Sequence, residues 1–121
     1  MTLVHEPSGT TLRTTAPRDN GGDGSSFSPT DLLATSMLSC VITTMAIKAK
    51  NMDLAFDGVR GSVEKHMVAD PQRRVGKLVL RIQMPASLSE KNRESLELAG
   101  RACPVAKSIS EKLDIDLKFF V

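Results

Sequence analysis

The period of hydrophobic and polar positions changes along the chain and marks most of its elements. Between Asp31 and Lys48 there is no charge, and at 100° per residue Leu32, Leu33, Ala34, Met37, Leu38, Val41, Ile42, Met45, Ala46 and Ile47 point to all sides of a helix. Ser28 is suited to cap it, with Pro29 at the first helical position and Asp31 three residues after the cap. The spacing therefore predicts one long helix from Ser28 to Lys50, with Cys40 in its middle. A helix apolar on every side needs cover on every side. Its uncharged run is shorter than the roughly 18 residues that mark a membrane span, and Thr35, Ser36, Ser39, Thr43 and Thr44 interrupt it, which favours a buried helix of a soluble protein.

The flanking patterns are shorter. Thr10 to Thr15 reads as a strand after a Ser8-Gly9 turn, and Pro17 to Ser28 is a loop rich in Gly, Asp and Asn. After the helix, Val59 to Val68 and Lys77 to Met84 alternate with period 2. The turn Ala69-Asp70-Pro71-Gln72 separates them, so the pair reads as an antiparallel hairpin with one buried face. Ser87 to Glu90 fits a capping box for a second helix carrying Leu88, Leu96, Ala99 and Ala102 on one face. A third helix restarts at Pro104, with Val105, Ile109 and Leu113 spaced four apart. Ile115, Leu117, Phe119 and Val121 alternate as a last strand. The order predicts an α+β fold in which an antiparallel sheet packs on the long central helix, as one domain over residues 1–121. So small a sheet covers only one side of that helix, and the pattern predicts a homodimer in which the partner supplies the rest.

Charge and composition narrow the function. Sixteen Lys and Arg balance 14 Asp and Glu, and the aromatics are four Phe, so neither the basic face nor the stacking platform of a nucleic-acid binder is present. No apolar N-terminal run suggests export or a membrane anchor, and a cytoplasmic, reducing setting is expected. There, the distant pair Cys40 and Cys103 reads as catalytic, redox-active or simply buried before it reads as a structural disulfide.

The two thiols differ in setting. Cys40 lies mid-helix beside the small hydroxyl residues Ser36, Ser39 and Thr43, which leave room at the thiol and would equally let two helices approach closely. Cys103 directly precedes Pro104 at a helix start with Arg101 nearby, a position that favours thiolate. Were the two to converge, they would have the parts of a two-cysteine peroxidase, one sulfur becoming sulfenic acid and the other closing a disulfide for an external thiol to reduce. His5, His66 and the two cysteines lack the ligand spacing of a zinc site, and no metal or cofactor is expected.

The segment FSPTDLLATSMLSC, preceded by APRDNGGDG, together with ACPVAKSI near the C-terminus, resembles the OsmC/Ohr family of osmotically inducible and organic hydroperoxide resistance proteins. The likeness runs in matching order over nearly the whole chain. It implies an intertwined α+β homodimer with two long central helices and active sites at the subunit interface. It also implies a metal-free thiol peroxidase, active on organic hydroperoxides and more weakly on hydrogen peroxide. Cys40 matches the peroxidatic cysteine and Cys103 the resolving one. A dithiol reductant, in the Ohr branch a lipoylated protein, would reset the pair.

Two departures set this chain apart from the Ohr branch. That branch has a glutamate directly after the helix-start proline; here the residue is Thr30, with an acid one place later at Asp31. Nine residues separate Asp31 from Cys40, roughly 13 Å along a helix, so Asp31 is better suited to capping than to catalysis. The family arginine that holds the thiolate has no clear match, and Arg18 and Arg13 are candidates by their nearness to the helix entry. The sequence is therefore closer to the OsmC-like branch. The contrasting reading is a non-catalytic dimeric binding or interaction protein on the same fold.

Overall fold

Ser28 starts the long helix as its spacing predicts. In the computed structural model, which describes residues Met1 to Val121, the helix α1 runs Pro29–Asn51. The Ser28 N–H donates to Asp31 Oδ2 at 2.9 Å, and the Asp31 N–H donates to Ser28 Oγ at 3.1 Å. These reciprocal bonds satisfy backbone donors that the first turn would otherwise leave open. The chain forms two compact units, Met1–Leu33 and Ala34–Val121.

The first unit contains an antiparallel ribbon of β1 (Thr2–His5) and β2 (Thr10–Arg13), with Thr2 opposite Arg13 and His5 opposite Thr10. Only β2 was expected from the pattern. Gly9 makes the connecting turn with φ of 73°, and its N–H donates to His5 O at 2.8 Å. All eight strand residues are exposed. The glycine-rich loop that follows is held by Thr15 N–H on Phe27 O at 2.9 Å and Ser26 Oγ on Arg13 O at 2.7 Å. Gly22 is required there, because a Cβ would lie 1.5 Å from the Ala16 carbonyl oxygen.

The second unit is a three-stranded sheet in the order β3 (Arg60–Val68), β4 (Arg74–Gln83), β5 (Asp114–Phe120). β3 and β4 form the expected antiparallel hairpin, with Val63 opposite Leu80 and a register shift between His66 and Met67. The alternating Leu78, Leu80, Ile82 and Met84 are all buried. β5, however, joins β4 in parallel, Leu80 opposite Leu117. Alternation alone does not distinguish the two directions. The helical connection between β4 and β5 is long enough to return the chain for a parallel pairing.

That connection contains α2 (Glu90–Arg101) and α3 (Pro104–Ser108). The α2 cap is Ser89, whose Oγ accepts the Asn92 N–H at 3.1 Å, and not Ser87 as the box pattern suggests. A turn in which the Leu88 N–H reaches Pro85 O keeps the chain non-helical two residues longer. α3 stops at Ser108, whose hydroxyl donates to Pro104 O at 2.7 Å, and Ile109 is extended. The spacing of Ile109 and Leu113 is thus not a helical one, although both pack on the core.

Within the second unit one stripe of α1, Ala34, Met37, Val41, Met45 and Ala49, is buried against Leu78, Leu80, Ile82 and Leu96. By length and composition the whole of α1 could cross a membrane, contrary to the shorter count from its uncharged run. The buried stripe makes it the core helix of a soluble-type fold instead. It is not apolar cover on every side, however: Leu33 and Ile47 are 36% and 59% exposed.

Candidate active site

α1 and the α2–α3 junction bring the two cysteines together. Gly100 on α2 packs so tightly against α1 that a Cβ would come within 2.9 Å of Met45 Sδ and 3.0 Å of Val41 Cγ1. The chain leaves α2 at Arg101, two residues before Cys103, which then caps α3. The Cys103 Sγ accepts the Ala106 N–H at 3.5 Å and donates to Met37 Sδ at 4.0 Å. Cys103 is fully buried, Cys40 is half-buried, and both are free thiols.

The chemistry of Cys103 differs from that expected of a thiol at a helix start. Burial pushes its pKa above the ordinary 9.0; the Ala106 N–H pulls it down, and the hydrogen bonding and charge of adjacent Cys40 push it up again. A five-residue helix offers little dipole to oppose the loss of water around a buried thiolate. Arg101 does not reverse this, since its guanidinium lies over the Phe119 ring at 5.3 Å. Burial thus disfavours the Cys103 thiolate, the reverse of what its position suggested.

The supporting candidates take structural roles in the first unit. Asp31 is the reciprocal partner of the Ser28 cap, and Ser28 Oγ also meets Thr30 Oγ1 at 3.2 Å. Arg18, in a 3-10 turn from Arg18 to Asn20, donates from Nε to Asp23 O at 3.1 Å and lies across Gly24. It closes the glycine-rich loop onto itself. His5 pairs with Ser8 Oγ at 2.6 Å, and His66 lies 3.6 Å from Glu64 on the exposed face of the sheet. No group of three or more His, Cys, Asp or Glu side chains is placed to hold a metal ion. Sequence reasoning missed Met37, one apolar residue among ten on the helix, whose role appears only once Cys103 is placed against it.

Known proteins share this fold. The chain matches the OsmC-like protein family over residues 22–118. A protein of Psychrobacter arcticus 273-4 assigned to osmotic stress induction and detoxification response is 39% identical, with a TM-score of 0.91 over 98% of this chain and 85% of that one. The organic hydroperoxide resistance protein OsmC of Legionella pneumophila shares the fold at 22% identity, with a TM-score of 0.77 over 94% of this chain and 85% of that one. The organic hydroperoxide resistance protein OhrB of Bacillus subtilis shares it at 20% identity, with a TM-score of 0.62 over 78% and 71%. No curated protein sequence matches the chain significantly. With the family match spanning the cysteine helix, the sheet and the Cys103 segment, the chain belongs to the OsmC-like protein family.

Proposed function

We propose that this protein is a thiol-dependent peroxidase that reduces organic hydroperoxides, and hydrogen peroxide more weakly, through Cys40 and Cys103. The observation that carries the reading is the adjacency of a half-buried thiol on α1 and a fully buried one at the start of α3. The accessible sulfur, Cys40, is the attacking one. Its thiolate takes the terminal oxygen of the hydroperoxide; the O–O bond breaks, the alcohol leaves with a proton, and Cys40 becomes a sulfenic acid. Cys103 then attacks the Cys40 sulfur, the S–O bond breaks, and water leaves with the Cys103 proton. Two electrons from an external dithiol return the disulfide to two thiols. A lipoylated protein is the proposed reductant, and the cytoplasm the compartment that would supply it.

Organic hydroperoxides are proposed as the substrate class from the family match and from the organic hydroperoxide resistance proteins that share the fold. Steady-state consumption of cumene hydroperoxide with a dithiol reductant tests the function. Turnover that exceeds the uncatalysed rate and depends on the reductant is expected. Unchanged hydroperoxide and unchanged free thiol would instead favour a binding protein.

The active form is proposed to be a homodimer. A two-stranded ribbon with every residue exposed is marginal by itself in water. α1 also leaves Leu33 and Ile47 uncovered. A second copy is the economical cover for both. Light scattering at micromolar concentration should give twice the 13.1 kDa chain mass; a mass of one chain would contradict the dimer.

A further inference from the structure

The least accessible atom of the thiol pair, Cys103 Sγ, has a defined set of neighbours. It accepts the Ala106 N–H at 3.5 Å and donates its S–H to Met37 Sδ at 4.0 Å. Met37 is 1% exposed and Cys103 0%, so water does not compete for either sulfur. Met37 and Cys40 are three residues apart on α1 and therefore neighbours on one helix face. One methionine thus stands beside both reacting cysteines. A thioether can accept a hydrogen bond but has no proton to give. The Met37 to Cys103 bond therefore exists only while Cys103 carries its proton.

We infer that Met37 is a positioning residue of the thiol pair: its thioether holds the Cys103 S–H and keeps that thiol neutral until Cys40 has been oxidised, which makes Cys40 the attacking sulfur and Cys103 the resolving one. This rests on the two-thiol cycle proposed above. A hydrogen bond made only to the neutral form stabilises it over the thiolate, and the thiolate is the nucleophile. The other groups acting on Cys103 are accounted for. Burial and Cys40 on α1 push it the same way as Met37, while the N–H groups of Ala106 and Val105 on α3 oppose. Arg101 at the end of α2 is placed over Phe119. When Cys103 attacks the sulfenic Cys40, its proton leaves with the departing hydroxyl as water, and the bond to Met37 is given up in that step.

Simple packing would be served as well by leucine, which has nearly the volume of methionine and no acceptor. Met37→Leu therefore separates the two roles. The first readout is the infrared S–H stretch of Cys103 in a Cys40→Ala background, where it is the one remaining thiol and position 40 offers it no acceptor. Adding Met37→Leu should move the band to higher frequency as the S–H loses its acceptor. The second is the pH profile of disulfide closure after oxidation by cumene hydroperoxide, whose midpoint should move down by roughly half a pH unit in Met37→Leu. An S–H band that does not move overturns the inference, whatever the pH profile does. The infrared measurement uses no hydroperoxide, so it still reads the Met37 bond if the peroxidase reading fails. Should Met37→Leu not fold, Met37→Ile removes the sulfur at similar volume and is read in the same way.

Discussion

Replacing Cys40 with serine is expected to abolish the consumption of organic hydroperoxide, by roughly a thousandfold or more, with the fold unchanged. The magnitude follows from the chemistry. A serine hydroxyl is far less nucleophilic than a thiolate and cannot form a sulfenic acid. The surroundings do not compensate, because the neighbouring Cys103 is fully buried and its burial disfavours the thiolate. Cys40 is half-buried, and serine is close to it in size, so stability should change little. Cys103→Ser behaves differently. Its first encounter with hydroperoxide proceeds, but no disulfide forms, and Cys40 accumulates as sulfenic and then sulfinic acid. Mass spectrometry of the intact protein reads this as stepwise gain of oxygen. Retained turnover in Cys40→Ser would remove Cys40 from the mechanism.

The second large effect is expected at Gly100, which has no reactive side chain of its own but sets where α2 delivers Cys103. A Cβ there meets Met45 Cγ and Sδ at 2.9 Å and Val41 Cγ1 at 3.0 Å, so valine must push α2 away from α1. Helix propensity alone would favour valine over glycine by a few tenths of a kcal/mol. Overpacking of a filled core, about 1–3 kcal/mol, outweighs that gain. Met45 and Val41 are both 0% exposed and have no free space into which to retreat. Gly100→Val should lower the urea midpoint accordingly. Because Cys103 follows α2 by two residues, the same displacement should slow disulfide closure while leaving the first oxidation of Cys40 less affected. Alanine, with one methyl group and a larger propensity gain, should fall between the two. Stability and closure rate that match the unmodified protein would show that α2 is not held in place by this contact.

Strong periodicity makes much of this fold legible in the sequence. α1 begins and ends within one residue of the range its cap and apolar run predict, because Ser28, Pro29 and Asp31 are local signals. The buried face of β4 follows its alternation at Leu78, Leu80, Ile82 and Met84, while Val79 on the other face is buried as well. β1 was missed because all four of its residues are exposed, so no burial pattern marks it. The parallel entry of β5 was missed because side-chain alternation is the same in either direction. At the α2 cap, two serines two residues apart compete, and the preceding turn decides between them.

The site was legible to a lesser degree. Both cysteines stood out by type, yet their adjacency depends on Gly100 and on the exit of α2, which no spacing rule connects to Cys40. The expected thiolate at Cys103 rested on the helix start and on nearby Arg101; burial, a tertiary property, opposes it, and Arg101 is placed over Phe119. Asp31 takes the capping role that its distance from Cys40 favours. Arg18 bonds to Asp23 within its own loop, a contact made across five residues of glycine-rich chain that carry no periodic signal.

The central claim is that Cys40 and Cys103 form one redox pair. It is tested most directly by treating the reduced protein with one equivalent of cumene hydroperoxide and mapping its peptides without reductant. The account predicts loss of both free thiols, release of one equivalent of alcohol, and a disulfide linking the Cys40 and Cys103 peptides within one chain. Two titratable thiols with the hydroperoxide unconsumed would contradict it.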